Sequence, residues 1–252
     1  MLKKRIIVSL LYKDGKIIKG INFKNYKVVG NADTLVKIFS SQEADEIQLI
    51  NIDQKNDKTD FFKVVKIASR ECKMPITIGG GIKNINDVKK LFILGADKIL
   101  ITSESINNKN LLNQVISNYG SQSLVVGIEY IKKNKKIIVT KNNSKIKTTK
   151  NIFNYAKSLE NIGVGEIILF SIVNDGKMCG YDIEISKKIS NLVNIPVISA
   201  GGAGNFNDVE KIFKKTNING VTCGSIFYFA DNNPIRLRSF LNNKGVLMRK
   251  AR

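Results

Sequence analysis

Histidine is absent from this chain of 252 residues, and its absence narrows the available chemistry before any motif is read. With no imidazole to shuttle a proton or bind a metal, acid/base work falls to carboxylates, lysine, tyrosine or cysteine. Cysteine is scarce: Cys72, Cys179 and Cys223 are odd in number and widely spaced, which fits neither a disulfide framework nor a zinc site and suits a reducing cytoplasm. No metal and no other cofactor is expected. Long apolar runs are missing, none approaching the ~18–20 residues of a membrane span. The opening MLKKRIIVSLLYKDG is too soon interrupted by charge for a signal peptide, so a cytoplasmic protein without membrane contact is expected. Negative charge is short as well, with 21 Asp and Glu against 41 Lys and Arg and a formal net charge of +20. The excess is nearly all lysine, scattered among abundant Asn and Ile, which is unlike a nucleic-acid face. An anionic, phosphorylated small molecule is the better match for that field.

What the sequence has in quantity is repetition. PITIGGGIKNINDVKKLFILGADKILITS at 75–103 returns as PVISAGGAGNFNDVEKIFKKTNINGVTCGS at 196–225. Pro75, Gly80, Gly81, Asn84, Asn86, Asp87, Val88, Lys90 and Phe92 recur as Pro196, Gly201, Gly202, Asn205, Asn207, Asp208, Val209, Lys211 and Phe213, at a constant offset of 121. Helix propensity does not produce identities at fixed spacing. The chain reads as one domain over 1–252 made of two homologous halves, about 1–120 and 121–245. Each copy runs apolar strand, glycine cluster, amphipathic helix, second apolar strand, small residue. Taken singly, the clusters at 79–81 and 201–204 are no more than tight strand-to-helix turns, but two equivalent clusters favour a pair of phosphate-type loops.

Along the chain, strands are expected at 5–12, 46–52, 75–79, 97–102, 124–128, 166–171, 196–199 and 220–224. Helices are expected at 33–41, 60–72, 86–94, 152–161, 184–192, 209–215 and 234–242, with another through Leu111, Leu112 and Ile116. Residues 16–23 read as short and mixed. Residues 132–150, with eight lysines, read first as a solvated charge run and only second as substrate-binding, with 135–140 and 144–149 paired as a hairpin around Asn142 and Asn143. Because β-helix-β crossovers are right-handed and the strands nearly all apolar, the pattern predicts an α/β fold: a closed (β/α)8 TIM barrel of two half-barrels. A doubly wound open sheet is the alternative. Loops after the strands form the catalytic face of such a barrel. That rule gathers Gly80, Gly81, Ser103, Gly201, Gly202 and Ser225 on one face and suggests a ligand phosphorylated at both ends.

Several signatures together carry a family resemblance: KRII at 4–7, KDGKIIKGINF at 13–23, GGGI at 79–82, LGADK at 94–98, GSQ at 120–122, GEIIL at 165–169, DG at 175–176, GYD at 180–182 and GGAG at 201–204. In this unbroken order the chain resembles the cyclase subunit of imidazole glycerol phosphate synthase, a histidine-biosynthesis lyase. The resemblance implies a heterodimer with a glutaminase, docked at the strand-start face, whose ammonia travels through the barrel. It implies an ammonia entrance at Arg5, Glu46, Lys98 and Glu166, and partner contacts at Asp97 and Gln122. A purely structural ion-pair ring is the other reading of those four charges. Substrate and phosphate binding falls, on the same resemblance, to Lys19, Gly80, Gly81, Ser103, Gly176, Gly201, Gly202, Gly224 and Ser225.

The catalytic face departs from the family pattern. One of the family's two acid/base aspartates is matched by Leu11, which moves no proton, and the other by Glu129. A third aspartate is matched by Asn51, and two sixth-strand positions are Phe170 and Val173, while Asp175 is kept. Catalytic roles then rest with Glu129 and Asp175. An acid/base group typically supplies ~10² to 10⁴ in rate, so Leu11 predicts crippled ring closure. Ser9, Leu10 and Leu11 resemble a side branch of the family that acts with a glutaminase and a sugar amidotransferase to install acetamidino groups on surface-polysaccharide sugars. The expectation is a subunit that relays ammonia for that modification. The alternative is a genuine cyclase acting on a bis-phosphorylated ribulosyl-formimino-aminoimidazole-carboxamide.

Overall fold

The protein is described by a computed structural model covering residues 3–53, 55, 57–134 and 136–249. The first half runs β1 (Arg5–Lys13), β2 (Lys16–Ile21), β3 (Lys24–Gly30), α1 (Ala32–Ser41), β4 (Glu46–Asn51), α2 (Thr59–Glu71), β5 (Ile76–Gly79), α3 (Ile85–Ile93), β6 (Lys98–Ile101) and α4 (Lys109–Tyr119). The second runs β7 (Leu124–Lys133), β8 (Lys136–Lys141), β9 (Ile146–Lys147), α5 (Ile152–Ile162), β10 (Glu166–Ser171), α6 (Ile183–Leu192), β11 (Val197–Ala200), α7 (Phe206–Lys215), β12 (Gly220–Cys223), α8 (Ser225–Tyr228) and α9 (Pro234–Asn243).

Strands β1, β4, β5, β6, β7, β10, β11 and β12 pair in parallel in that order. The circuit closes where β12 returns to β1, with Arg5 beside Gly220. An open sheet is therefore excluded, and the (β/α)8 barrel stands. The apolar runs follow from burial on both faces. Ile6, Val8, Leu10, Ile47 and Leu49 pack outward with the helices, while Ile7, Leu100, Val125, Ile168, Ile198 and Ala200 form a separate cluster inside the barrel.

The repeat has a local mechanical basis. Asn84 caps α3 by accepting from the Asp87 N–H, and Asn205 caps α7 by accepting from that of Asp208. Ahead of each cap, Gly80 and Gly201 take matching left-handed φ values of +93° and +92°. Some of the repeated identities thus hold helix starts, and others hold the loops before them.

Two hairpins depart from the plain repeat. The stretch 16–23, read as short and mixed, carries β2 over Lys16–Ile21, which pairs antiparallel with both β1 and β3. Its counterpart in the second half is β8 with β9, and β8 also pairs with β7, which runs on to Lys133. The expected hairpin over 135–149 is present in its described part, while Lys135 lies outside the described residues. Asn142, Asn143 and Ser144 turn it with left-handed φ values of 56°, 54° and 67°. Among the described residues no helix is long and apolar enough to cross a membrane, and no cluster of metal-ligating side chains occurs.

Candidate functional site

The barrel base gathers four charges because β1, β4, β6 and β10 each begin with one. Arg5 reaches Glu46 at 2.9 Å and Glu166 at 2.5 Å; Lys98 reaches the same two carboxylates at 2.7 and 3.7 Å. Each cation touches both anions, so the ring is closed. Thr77 adds a hydroxyl bond to Glu46 at 2.6 Å. Burial alone pushes the Glu46 carboxyl upward, but Lys98 and Arg5 outweigh it and hold it below its ordinary value. Burial likewise opposes the Arg5 charge, and Glu166 with Glu46 outweighs it and raises the Arg5 guanidinium above its ordinary value. Asp97 and Gln122 are exposed on the same strand-start side. Asp97 accepts from the Ile76 N–H at 2.8 Å, and Gln122 donates a long bond of 3.4 Å to the Tyr119 carbonyl. Exposed Ile93, Leu192 and Leu247 add apolar surface to this side.

At the other end a cavity of about 800 Å³ opens between the strand-end loops. Gly80, Gly81 and Ser103 line it from the first half, and Gly201, Gly202, Gly224 and Ser225 from the second. Leu11, Lys19, Asn51, Glu129, Phe170, Asp175 and Gly176 line it too, whereas Val173, expected on the sixth strand, lies past the end of β10 and is not among the lining residues. Several of these glycines are sterically obligatory: a Cβ would stand 1.8 Å from the Asn51 carbonyl oxygen at Gly80, for example, and 2.0 Å from that of Gly180 at Gly202. Lys19 and Asp175 form a buried pair at 2.7 Å. The second Asp175 oxygen and the Ser225 hydroxyl are buried without a hydrogen-bond partner among the described residues, leaving unused hydrogen-bonding capacity at the cavity wall.

Glu129 enters this cavity from β7. It is 5% exposed, and Oε2 accepts the Ser144 N–H at 3.0 Å. Burial pushes its carboxyl up to about 7, while the N–H groups of Ser144 and Asn143 draw it partly back. Asn142 donates its N–H to Ser103 Oγ at 2.8 Å, so the hairpin tip is fastened at two cavity residues. The reading of 132–150 as a solvated run holds for exposed Lys133, Lys136, Lys147 and Lys150 but not for the hairpin tip, where Asn142, Asn143, Lys145 and Ile146 line the cavity because β8 folds back along the extended β7. Leu11 presents no titratable group, and elsewhere on the cavity wall Phe23 meets Phe170 edge-on at 6.5 Å.

Sequence reasoning missed Lys58, which donates to the Gly81 carbonyl at 2.5 Å and pairs with Asp87 at 3.2 Å, bracing the first glycine loop. One lysine among 41 cations carries no signal of its own. Tyr26, which lines the cavity from β3, was missed with its hairpin.

A (β/α)8 barrel of repeated halves, with a glycine-lined polar mouth and a charged ring at its base, is the class that fold and site define. A family profile described as "Histidine biosynthesis protein" matches residues 5–233. The imidazole glycerol phosphate synthase subunit HisF of Elusimicrobium minutum is 35% identical over 253 residues, covering 99% of this chain and 100% of that one. The subunit of the same name from Dictyoglomus turgidum is 38% identical over 251 residues, with 99% of each chain covered. That of Clostridium botulinum is 35% identical over 252 residues, with 99% and 100% covered. The chain belongs to the histidine-biosynthesis family and, within it, to the HisF group.

Proposed function

We propose that the chain is the ammonia-accepting barrel of a glutamine-dependent synthase, with a glutaminase docked on the strand-start face and the acceptor held at the mouth. The observation that carries this reading is the closed ring of Arg5, Glu46, Lys98 and Glu166. Replacing buried ion pairs by packed apolar groups is often neutral or stabilising by about 1–4 kcal/mol, so a ring of four charges across a barrel base indicates use beyond stability. Exposed Asp97, Gln122, Ile93 and Leu247 give a docked partner both polar and apolar contacts. At the mouth, the two glycine-loop sets suit a ligand anionic at both ends, with the Lys19 ammonium oriented by Asp175.

The acceptor chemistry follows from Leu11. With no carboxylate there, and Asp175 committed to Lys19, Glu129 is left as the proton-carrying group, and its second role is to hold the hairpin tip. We therefore read the chain as relaying ammonia for acetamidino modification of a surface-polysaccharide sugar, alongside a sugar amidotransferase. The cyclase reading is favoured by the full-length likeness to HisF subunits and by a Glu129 carboxyl near 7, well placed for acid/base work at neutral pH.

The deciding experiment supplies ammonium salt and N′-phosphoribulosyl-formimino-aminoimidazole-carboxamide ribonucleotide to the purified chain, which removes any need for the glutaminase. The expected result is no ring closure by folded protein. Turnover that disappears in Glu129→Ala overturns the relay reading and makes the chain a working cyclase despite Leu11.

A further inference from the structure

Between the ring and the mouth lies a polar side chain that the proposed function leaves unused. On β4, Gln48 stands between Glu46, a member of the ring, and Ile50, which packs on the inner apolar cluster. Strand alternation puts all three on the inward face, while Ile47 and Leu49 pack outward with the helices. Gln48 is 0% exposed, and neither its Oε1 nor its Nε2 meets a hydrogen-bond partner among the described residues. A buried carboxamide with both ends unmet carries a desolvation penalty that native proteins normally relieve with a bound small molecule.

Strand register fixes its level. Gln48 pairs with Ser9 on β1, which lines the mouth cavity, and with Thr77 on β5, which donates to Glu46. The amide thus sits where the cavity floor meets the ring, and the buried, unpartnered Glu166 Oε1 offers another acceptor at ring level. A carboxamide brings a donor end (an NH2 with two N–H groups) and an acceptor end (a carbonyl oxygen) with no net charge, so it cannot offset the desolvation of an ion, and an apolar guest leaves both its ends unmet.

We propose that Gln48 is a binding station for one small neutral molecule that both donates and accepts a hydrogen bond, of the water–ammonia class. The site itself rests on geometry; only the ammonia member of the class rests on the ammonia-accepting reading.

The test is crystallographic, at a resolution that shows ordered water, on the full chain and on Gln48→Leu grown without ammonium. A second wild-type crystal is soaked in hydroxylamine, a largely neutral two-atom surrogate of ammonia at neutral pH. The expected result is a single-atom peak bonded to both amide atoms in the wild type, lost in Gln48→Leu, and elongated by hydroxylamine. A peak that stays spherical after the soak keeps the station and assigns it to water. An amide without a peak, or one turned onto a protein partner, overturns the proposal. Gln48→Met, of similar length, gives the same comparison where the leucine variant does not fold. None of these outcomes depends on turnover, so loss of the station and loss of the ammonia-accepting role are separate results.

Discussion

Glu129 links the site to the solution by a proton. Its carboxyl stands at about 7 in the folded chain against an ordinary 4.5, so between those values the folded state holds more protons than the unfolded one. Stability therefore falls as pH rises through that window, by up to about 3 kcal/mol at full ionisation. Glu129→Gln should flatten the dependence of melting temperature on pH across the window and be more stable than wild type above it. Overlaid pH–stability curves for the two proteins would contradict this. In the ring, Glu46→Ala removes the shared partner of Arg5, Lys98 and Thr77 and should cost about 3–5 kcal/mol, read as a lower urea midpoint. The ring residues were legible only through the family resemblance, and the glycine loops because their clusters recur at a constant offset. Gln48 and Lys58 were not: Gln48 sits in a strand buried on both faces, where a lone polar side chain has no local pattern to say what it meets.

At the scale of elements, the two hairpins decide how the mouth is covered. The turn after β2 is docked to the loop after β10, with the Asn22 N–H on the Asp175 carbonyl at 2.9 Å and its side chain on the Ile172 and Val173 carbonyls. Gly176 allows that contact: its φ is +73°, and a Cβ would stand 2.1 Å from the Gly20 carbonyl oxygen. Gly176→Ala should lower stability by about 1–3 kcal/mol and weaken binding of a doubly phosphorylated sugar, measured by calorimetry. Replacing 141–146 by a two-residue turn uncovers Glu129, so its carboxyl should move down toward the ordinary range, visible as a carboxyl resonance titrating at lower pH. The eight barrel strands could be read from sequence because burial on both faces makes them continuous apolar runs. The hairpins could not be read as well, since β3 is mostly exposed and β9 fully so, which erases the contrast that periodicity depends on.

For the whole molecule, closure by repetition was legible because identities at constant offset survive where composition drifts toward lysine. The net charge of +20 makes a salt prediction: binding of a doubly phosphorylated sugar should weaken by roughly tenfold or more between ~0.05 and ~0.5 M salt. Salt-independent binding would restrict recognition to the glycine loops and Lys19. The closed base has a further consequence, for timing. Glu46 is held at once by Arg5, Lys98 and Thr77, so no link in the floor loosens without disturbing the others. On the ammonia-accepting reading proposed above, passage across it becomes a series of discrete admissions whose tempo is set by the floor rather than by diffusion.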